Sequence, residues 1–146
     1  MTRSNNFVRD YVLNFVPVKR RPRFKLQTGT AYTDAKTKRE ERAIRETYKG
    51  KRYENGEALA LRVDVYRALP KSRPLKVSEE TDTITPDLDN IVKAVMDGLQ
   101  DVTDKNGETL ERGAYVNDSQ IVEIHAYKHK RTRKAGDSIR FQLWEV

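Results

Sequence analysis

The amino-acid sequence predicts a single α+β domain in which a mixed β-sheet carries two main helices packed on it. Segments with alternating apolar and polar residues, a pattern typical of strands, flank two segments with helical periodicity. The elements follow the order strand, helix, strand, helix and then two or three strands, which fits a mixed sheet covered by helices. The length of 146 residues suits one domain, residues 1–146, with a sizeable core.

The N-terminal part of the chain combines strand-forming, basic and helical segments. Residues 7–15 are rich in aromatic and aliphatic side chains and predict a strand that stops before a proline. The next segment, Lys19 to Lys25, holds five cations and is expected to be extended, because prolines lie before and within it. Thr33 or Asp34 is the expected N-cap of a surface helix over residues 35 to about 49, with a narrow apolar stripe.

The clearest helix of the chain lies in its second half. From Leu88 to Leu99, apolar residues recur at the i, i+3, i+4 and i+7 positions that build one buried face. Before it, residues 58–69 alternate as a half-buried strand does, with Asp64 on the polar face, and residues 70–85 form a loop of sixteen residues. A loop this long is usually mobile or functional. The remaining segments are a polar connection (101–113), two extended segments (114–116 and 120–128), a basic turn (131–137) and a final strand (139–144).

Composition excludes several classes of chemistry. The chain has 29 Lys and Arg, 22 Asp and Glu and no Cys, which gives a formal net charge of +7. A basic excess favours polyanionic partners, and the absence of cysteine excludes disulfide frameworks, thiolate catalysis and metal sites built on sulfur. No apolar run reaches the roughly 18 residues that span a bilayer, and the N-terminus lacks the apolar region of a signal peptide. We therefore expect a soluble, cytoplasmic protein without a membrane partner.

Three carboxylates stand apart from the other acids by position. Asp87 and Asp89 lie at the start of the predicted helix, and Asp118 precedes a predicted strand. Carboxylates brought together from different elements suit Mg²⁺, which takes oxygen ligands. The alternative is plain helix capping, because acids in a first turn favour the helix dipole. If Thr85 is the N-cap and Pro86 the first helical residue, the side chains of Asp87 and Asp89 diverge, because residues two positions apart within a helix point in different directions. A shared metal therefore predicts that Asp87 is the N-cap and that the helix starts at about Leu88.

A cation lies one helical turn beyond the second of these acids. Lys93 is spaced from Asp89 as an i, i+4 ion pair, which is worth only a few tenths of a kcal/mol. The functional alternative is a fixed positive charge near a metal-bound phosphate, where it would stabilise charge that develops in the transition state. Asp97, another turn along, is expected to be a surface acid or a structural partner. Spacing alone leaves both interpretations of Lys93 open.

Three blocks of the sequence resemble the RusA family of Holliday junction resolvases. Pro86 to Leu99 resembles the signature helix of that family, PDxDNxxKxxxDxL, which is a highly specific pattern. Tyr115 to Ile121 is similar to the second block of the family, and residues 17–24 and 32–34 resemble its N-terminal block. The blocks follow the family order over nearly the whole chain. One departure is Asn117, which occupies the first position of the usual acidic pair.

The resemblance implies a divalent-metal-dependent endodeoxyribonuclease that resolves four-way DNA junctions as a homodimer, in DNA recombination and repair. The essential carboxylates of the family correspond to Asp87, Asp89 and Asp118, which are expected to be catalytic and to bind Mg²⁺, with Mn²⁺ as a substitute. The important lysine of the family corresponds to Lys93. The expected chemistry is phosphodiester hydrolysis with water as the nucleophile, in two matched cuts. A small resolvase of this kind suits a bacterial, phage or prophage origin.

Two basic clusters are expected to contact DNA phosphates and to make affinity fall steeply with salt. The alternative is that they are solvated loops kept soluble by charge. Residues 70–85 lead directly into the predicted acidic site, so they are expected either to order over the junction or to be a disordered connector. The first cluster consists of Lys19, Arg20, Arg21, Arg23 and Lys25, and the second of Lys128, Lys130, Arg131, Arg133 and Lys134.

Two further functions are compatible with the same residues. One is a metal-dependent nuclease with the same site chemistry that prefers flaps, forks or other branched DNA. The other is a non-catalytic, basic DNA-binding module in which the acids only cap a helix. Cleavage of a four-way junction in the presence of a divalent cation distinguishes the three.

Overall fold

The computed structural model describes residues 8–20, 23–24, 31–32 and 34–146, and for 23–24 and 31–32 it describes the backbone alone. This part of the chain contains two α-helices, a four-stranded mixed sheet and three two-stranded sheets, which confirms the predicted α+β class. None of its helices is long and apolar enough to cross a membrane. The helices are α1 (Ala35–Thr47) and α2 (Leu88–Leu99), and the strands are β1 (Tyr11–Leu13), β2 (Arg23–Phe24), β3 (Ala31–Tyr32), β4 (Leu59–Tyr66), β5 (Glu79–Glu80), β6 (Val102–Thr103), β7 (Thr109–Glu111), β8 (Ile121–Lys128), β9 (Arg131–Thr132) and β10 (Ser138–Glu145).

These elements group into two compact units. The sheet unit contains the described residues of Met1–Val16, Glu54–Ile84 and Ser119–Val146. The helical unit contains those of Pro17–Tyr53 and Thr85–Asp118. All four predicted catalytic residues therefore belong to the helical unit. The assignment of residues 1–146 to a single domain stays a prediction.

The mixed sheet has the strand order β1-β10-β4-β8. Strands β1 and β4 each pair antiparallel with β10, whereas β8 runs parallel to β4. The central strands supply a fully buried face that includes Leu61, Val63 and Phe141, and Tyr11 stacks on Phe141 with ring centroids 5.2 Å apart. The strands predicted at 58–69, 120–128 and 139–144 are confirmed. The first predicted strand is found as Tyr11–Leu13, and residue 7 of that prediction lies outside the described residues.

Strand β4 is more buried than its alternating pattern predicts. Asp64, expected on a solvated polar face, is only 5% exposed. Its carboxylate accepts hydrogen bonds from Arg62 Nε at 2.9 Å and lies 2.7 Å from His129 Nε2, and the His129 ring stacks on Tyr66. Burial opposes the charge of this carboxylate, but the hydrogen bonds from Arg62 and His129 outweigh it and hold the pKa of Asp64 below its ordinary value. The polar face of β4 is therefore covered by its own charged and aromatic side chains.

Residues 70–85 carry more structure than a plain loop. Strand β5 lies within this segment and pairs antiparallel with β9, which begins the predicted basic turn. Arg131 is 6% exposed and donates from Nε to Ala68 O at 2.9 Å and from Nη1 to Asp82 Oδ1 at 3.2 Å. Lys128 Nζ donates to Ile84 O at 2.8 Å. Because two-residue strands have no detectable periodicity, the sequence pattern could not reveal this pairing; mobility of the segment stays a prediction.

Helices α1 and α2 form the core of the helical unit. Asp34 is the N-cap of α1, as one of the two predicted candidates, and its carboxylate accepts a hydrogen bond from Lys36 N at 2.8 Å. Helix α2 spans the predicted range and buries Ile91 and Leu99 completely. The two helices approach closely at Gly98, where an added Cβ would lie 2.7 Å from Ile44 Cβ.

The predicted polar connection 101–113 folds as a β-hairpin made of β6 and β7. In its turn, Asp104 Oδ1 accepts from the backbone N of Asn106 and of Glu108, both at 2.9 Å. At its base, the buried Asp101 carboxylate accepts from Arg52 at 2.5 and 2.7 Å and from Gly113 N at 2.7 Å. These bonds join the two ends of the hairpin. The segment 114–116, predicted to be extended, forms isolated bridges through Tyr115 rather than a strand.

Candidate active site

The N-terminus of α2 presents two exposed carboxylates. The helix begins at Leu88, and Asp87 is its N-cap with an extended backbone (φ −69°, ψ 145°), as the metal hypothesis requires. A capping aspartate normally accepts a hydrogen bond from the first turn, but the Asp87 side chain makes no such bond. Among the described residues, neither the Asp87 nor the Asp89 carboxylate has a hydrogen-bond or ion-pair partner. No hydrogen-bonded cap therefore forms at Asp87, whereas both acids still lie where a carboxylate favours the helix dipole, and the metal interpretation stays a prediction.

Asp118 is held near the other end of the same helix. It is the first residue of a 3-10 turn, Asp118–Gln120. Its backbone N donates to Gln100 Oε1 at 2.8 Å, and Gln100 is the C-cap residue of α2. Its carboxylate oxygen Oδ2 lies 3.2 Å from Lys93 Nζ. The third predicted acid thus faces the predicted catalytic lysine.

A charge network continues from this pair. Lys93 Nζ also lies 3.4 Å from Asp97 Oδ1, and the second oxygen of Asp97, Oδ2, lies 2.8 Å from Lys19 Nζ. Lys19 Nζ is in turn 3.8 Å from Glu41 Oε1. Asp97 therefore bridges two lysines that lie far apart in the sequence. Sequence reasoning assigned Lys19 to DNA contact and gave Asp97 no catalytic part. Two signals pointed to Asp97, its i, i+4 spacing from Lys93 and its match to the last acid of the signature PDxDNxxKxxxDxL.

The surroundings of Lys93 keep it charged. Partial burial opposes the charge, but the Asp118 hydrogen bond and the nearby Asp97 outweigh it and hold the pKa of Lys93 above its ordinary value. Further along α2, the Tyr115 hydroxyl donates to Met96 O at 2.6 Å, and burial raises the pKa of this hydroxyl well above its usual range. Lys93 is therefore suited to be a fixed cation, and neither group is suited to be a proton shuttle at neutral pH.

The predicted acids offer the oxygen donors that a hard cation such as Mg²⁺ prefers, but they do not surround a common metal position. Among the described residues, no three acids or histidines lie close enough to hold a metal ion together. Mg²⁺ does not require such a cage, since it commonly uses one or two carboxylates together with waters and substrate phosphates. Asp87 and Asp89 are exposed oxygen donors of this kind. Metal binding by Asp87, Asp89 and Asp118 stays a prediction, with Asp118 engaged by Lys93.

A comparison with family models decides the class of this protein. The model described as "Endodeoxyribonuclease RusA" matches residues 14–140 of the 146-residue chain.

The chain belongs to the RusA endodeoxyribonuclease family.

The match confirms the resemblance found in the sequence, and the charge network of α2 lies within the matched range. A search of the curated proteins returned no match. RusA-family proteins are Holliday junction endonucleases that generally depend on divalent metals. The RusA-family chain is thus an enzyme, which disfavours the interpretation as a non-catalytic DNA-binding module.

In this RusA-family enzyme, the first basic cluster is partly committed to ion pairs. Lys19 pairs with Asp97, and Arg20 donates to Glu40 at 2.6 and 3.3 Å. The side chains of Arg21, Arg23 and Lys25 lie outside the described residues. The DNA contacts predicted for this cluster stay predictions.

The second basic cluster of the RusA-family enzyme also has internal partners. Arg131 is buried against Asp82, as described above, which is a structural rather than a surface position. Lys130 pairs with Glu79 at 3.1 Å, and Arg133 donates to the carbonyls of Arg73 and Pro74. Lys134 is exposed and has no partner among the described residues. Of this cluster, Lys134 is the member best placed to contact a phosphate.

Proposed function

We propose that this RusA-family endonuclease is a Mg²⁺-dependent resolvase that cuts four-way DNA junctions in two opposing strands, as a homodimer, during recombination and repair. The observation that carries the proposal is the arrangement along α2. Its N-terminus offers two carboxylates without a partner among the described residues, and one turn later Lys93 is held against Asp118 at 3.2 Å. Acidic oxygen donors next to a fixed cation are what phosphodiester hydrolysis requires.

Each side chain has a distinct role in the proposal. Asp87 and Asp89 would hold the divalent cation together with phosphate oxygens, and Asp118 would complete the set. The cation, when bound, supplies an activated water and stabilises the leaving oxygen. Lys93, which stays protonated at neutral pH, places a positive charge beside the scissile phosphate and stabilises the extra negative charge of the transition state. Gln100 fixes the Asp118 backbone and so limits where this carboxylate can point.

The homodimer follows from the symmetry of the substrate. A four-way junction has near-twofold symmetry and must be cut twice, so two copies of one site related by a twofold axis match it. The net charge of +7 per chain supports binding to such a dense polyanion.

Cleavage of a labelled synthetic four-way junction tests the proposal. With Mg²⁺, we expect symmetric nicks in opposing strands; cuts confined to flap substrates would support a flap nuclease instead. Absence of cleavage with any divalent cation would contradict both.

Asp118→Asn tests the site itself. The substitution keeps the shape of the side chain but removes the charge that faces Lys93, so we expect cleavage to fall by roughly 10²–10³-fold or more. Junction binding in EDTA, measured by gel shift, should stay within about twofold, because the change is confined to the site. A variant that cleaves at the wild-type rate would show that the catalytic acids lie elsewhere. Glu111→Gln is the control, because it also removes one negative charge. Glu111 lies on the helical unit and pairs with Arg42 and Arg45 rather than with Lys93.

A further inference from the structure

Together with Glu41, Asp97 is one of the two most enclosed acids of the α2 charge network. Its side chain is 16% exposed, whereas Lys93 is 50% exposed and Lys19 30%. Both of its oxygens are engaged, Oδ1 with Lys93 and Oδ2 with Lys19. An enclosed acid that is held on both sides has little freedom to reorient. It is therefore a rigid point to which a mobile lysine can be fixed.

The segment that carries Lys19 is itself fixed to both helices. Lys19 N donates to Asn90 O in the first turn of α2 at 3.0 Å. One residue earlier, Val18 N donates to Glu40 Oε1 of α1 at 3.2 Å, and one residue later, Arg20 pairs with the same glutamate. Lys19 thus approaches Asp97 from an anchored backbone. The helices thus fix Lys19, Lys19 contacts Asp97, and Asp97 contacts Lys93.

We propose that Asp97 is a positioning residue that holds the Lys93 ammonium at the catalytic site, and that Lys19 holds Asp97. The proposal rests on the catalytic role proposed for Lys93 and adds a part for two residues that were assigned none in the chemistry. It also changes the role of Lys19 from a DNA-phosphate contact to a component of the active-site framework.

The need for such a support follows from the geometry of lysine. A lysine side chain has four rotatable bonds and loses much rotamer freedom when it is held in one position. Asp118 cannot be the only anchor, because the same carboxylate is proposed to serve the reaction. Asp97 lies one helical turn from Lys93 and keeps a contact with it whichever partner Asp118 takes. A lysine fixed in advance at the site needs no reorganisation when the charge develops on phosphate.

Asp97→Asn is the first test. It keeps the shape of the side chain but replaces one oxygen with an NH₂ group, which cannot accept a hydrogen bond from a lysine. We expect kcat for junction cleavage to fall about 10–100-fold with KM unchanged or lower. A lower KM is possible because the loss of an acid near the site reduces repulsion of DNA. An effect of charge alone would change KM and leave kcat as it is, which would overturn the proposal.

Glu111→Gln is the matched control for this variant as well. Glu111 also bridges two cations, Arg42 and Arg45, each at 3.4 Å, and its loss changes the net charge by the same amount. We expect kcat of Glu111→Gln to equal that of the wild type. An equal drop in kcat for both variants would overturn the proposal.

A double-mutant cycle tests whether Asp97 acts through Lys93. Lys93→Met should lower kcat, and adding Asp97→Asn should then change it by less than about twofold, because the group to be positioned is gone. If the fall in kcat of the double variant equals the product of the two single effects, the proposal is overturned. If Lys93→Met cleaves at the wild-type rate, the catalytic role of Lys93 fails and this proposal fails with it. If Lys93→Met is slow and Asp97→Asn is not, only the positioning role fails.

Two further measurements guard against a folding defect. Asp97→Glu keeps the charge and adds one methylene group, so it should fold and give an intermediate kcat, whereas wild-type kcat would overturn the proposal. Independently of activity, the ¹³Cε order parameter of Lys93, assigned with Lys93→Met, should fall in Asp97→Asn and in Lys19→Gln. Unchanged order at Lys93 in both variants would contradict the proposed support.

Discussion

The carboxylates of this enzyme differ most in whether a cation or a hydrogen-bond donor already contacts them. Asp87 and Asp89 are exposed and have no partner among the described residues, whereas Asp118 faces Lys93 at 3.2 Å. Asp64, in the sheet unit, is buried between Arg62 and His129. A carboxylate without a partner can take a cation directly, while an engaged one must first give up a hydrogen bond. The two acids of the α2 N-terminus are therefore the expected first ligands of the divalent cation.

The stability contributed by Asp64 should depend on pH. Its folded pKa is below the unfolded value, so its contribution is present above the ordinary Asp pKa of about 3.9 and is lost as the pH falls through the lower, folded pKa. We expect the free energy of unfolding of the wild type to exceed that of Asp64→Asn at about pH 5, where the carboxylate is charged in the folded and in the unfolded chain. Below about pH 4 the difference should shrink. Urea unfolding at a series of pH values measures this, and a difference that stays constant to pH 2 would argue against it.

The role of a single residue could be predicted from the sequence only where its partners lie a few positions away along the chain. Local geometry narrowed the N-cap of α2 to Thr85 or Asp87, and the metal hypothesis selected Asp87, which is the N-cap found in the structure. Asp118 was a candidate because it precedes a predicted strand, but no local pattern links it to Asp87 and Asp89, and its assignment as an essential acid depended on the family resemblance. The bridge from Lys19 to Asp97 could not be predicted, because it joins segments that only the packing of the helical unit brings together.

Among the elements, α2 was predictable and the short strands were not. Twelve residues with an apolar face on every turn define a helix without reference to the rest of the chain. The two-residue strands β5, β6 and β9 exist only because a partner strand lies beside them. Tertiary pairing therefore changed the predicted loop 70–85 and the polar connection 101–113, whereas the helices kept their predicted bounds to within two residues.

The contact between α1 and α2 requires a glycine. In Gly98→Ala, the new methyl group would lie 2.7–2.9 Å from three atoms of Ile44, which is fully buried. The helix preference for alanine, about 1 kcal/mol, opposes the effect, but overpacking of a rigid core should leave a net loss of roughly 1–3 kcal/mol in the free energy of unfolding. Chemical denaturation measures this. Gly136→Ala, where a Cβ meets nothing within 4 Å, is the control and should be close to neutral.

The pairing of β5 with β9 is secured by a buried ion pair. Asp82 has a fully buried side chain that faces Arg131, and its second oxygen, Oδ2, has no hydrogen-bond partner among the described residues. Arg131→Met would leave the Asp82 carboxylate with Lys128 Nζ at 3.7 Å and a long hydrogen bond from Ile84 N at 3.4 Å. We expect a loss of about 3 kcal/mol in the free energy of unfolding.

The exposed neighbour Arg133 provides the comparison for that prediction. Arg133→Met should cost less than about 1 kcal/mol, because exposed contacts contribute little. Both variants are measured by urea unfolding, and junction binding in EDTA is measured where both are folded. Equal stability of the two variants would show that Arg131 is a surface cation, as the sequence suggested.

For the whole molecule, the ten cations of the two basic clusters overstate the number that is available to DNA. The six members of the two basic clusters whose side chains are described, apart from Lys134, each contact an acid or a backbone carbonyl. A cation that already has a partner releases fewer counterions from DNA when it binds. We therefore expect the clusters to contribute to the stability of the fold as well as to the attraction of DNA.

The salt dependence of junction binding measures how many cations remain. Ten phosphate contacts per chain would give a slope of about −9 in a plot of log K against log salt concentration. Because six cluster members have internal partners, we expect about half of that slope, with Lys134→Gln reducing it by about 1. Binding in EDTA at about 50–200 mM NaCl provides the plot. A slope near −9 would mean that the internal ion pairs open when DNA binds.

The closed base of the β6–β7 hairpin has a consequence for how this family can vary. Arg52 and Gly113 hold Asp101 at the point where the chain leaves α2, and the chain returns to the same point before it reaches Asp118. The number of residues between Asp101 and Gly113 is thereby uncoupled from the position of Asp118, the proposed catalytic acid. Evolution can lengthen, shorten or decorate this hairpin without moving Asp118. The hairpin is accordingly the natural place to insert a tag, a fluorophore or a foreign recognition loop into the enzyme.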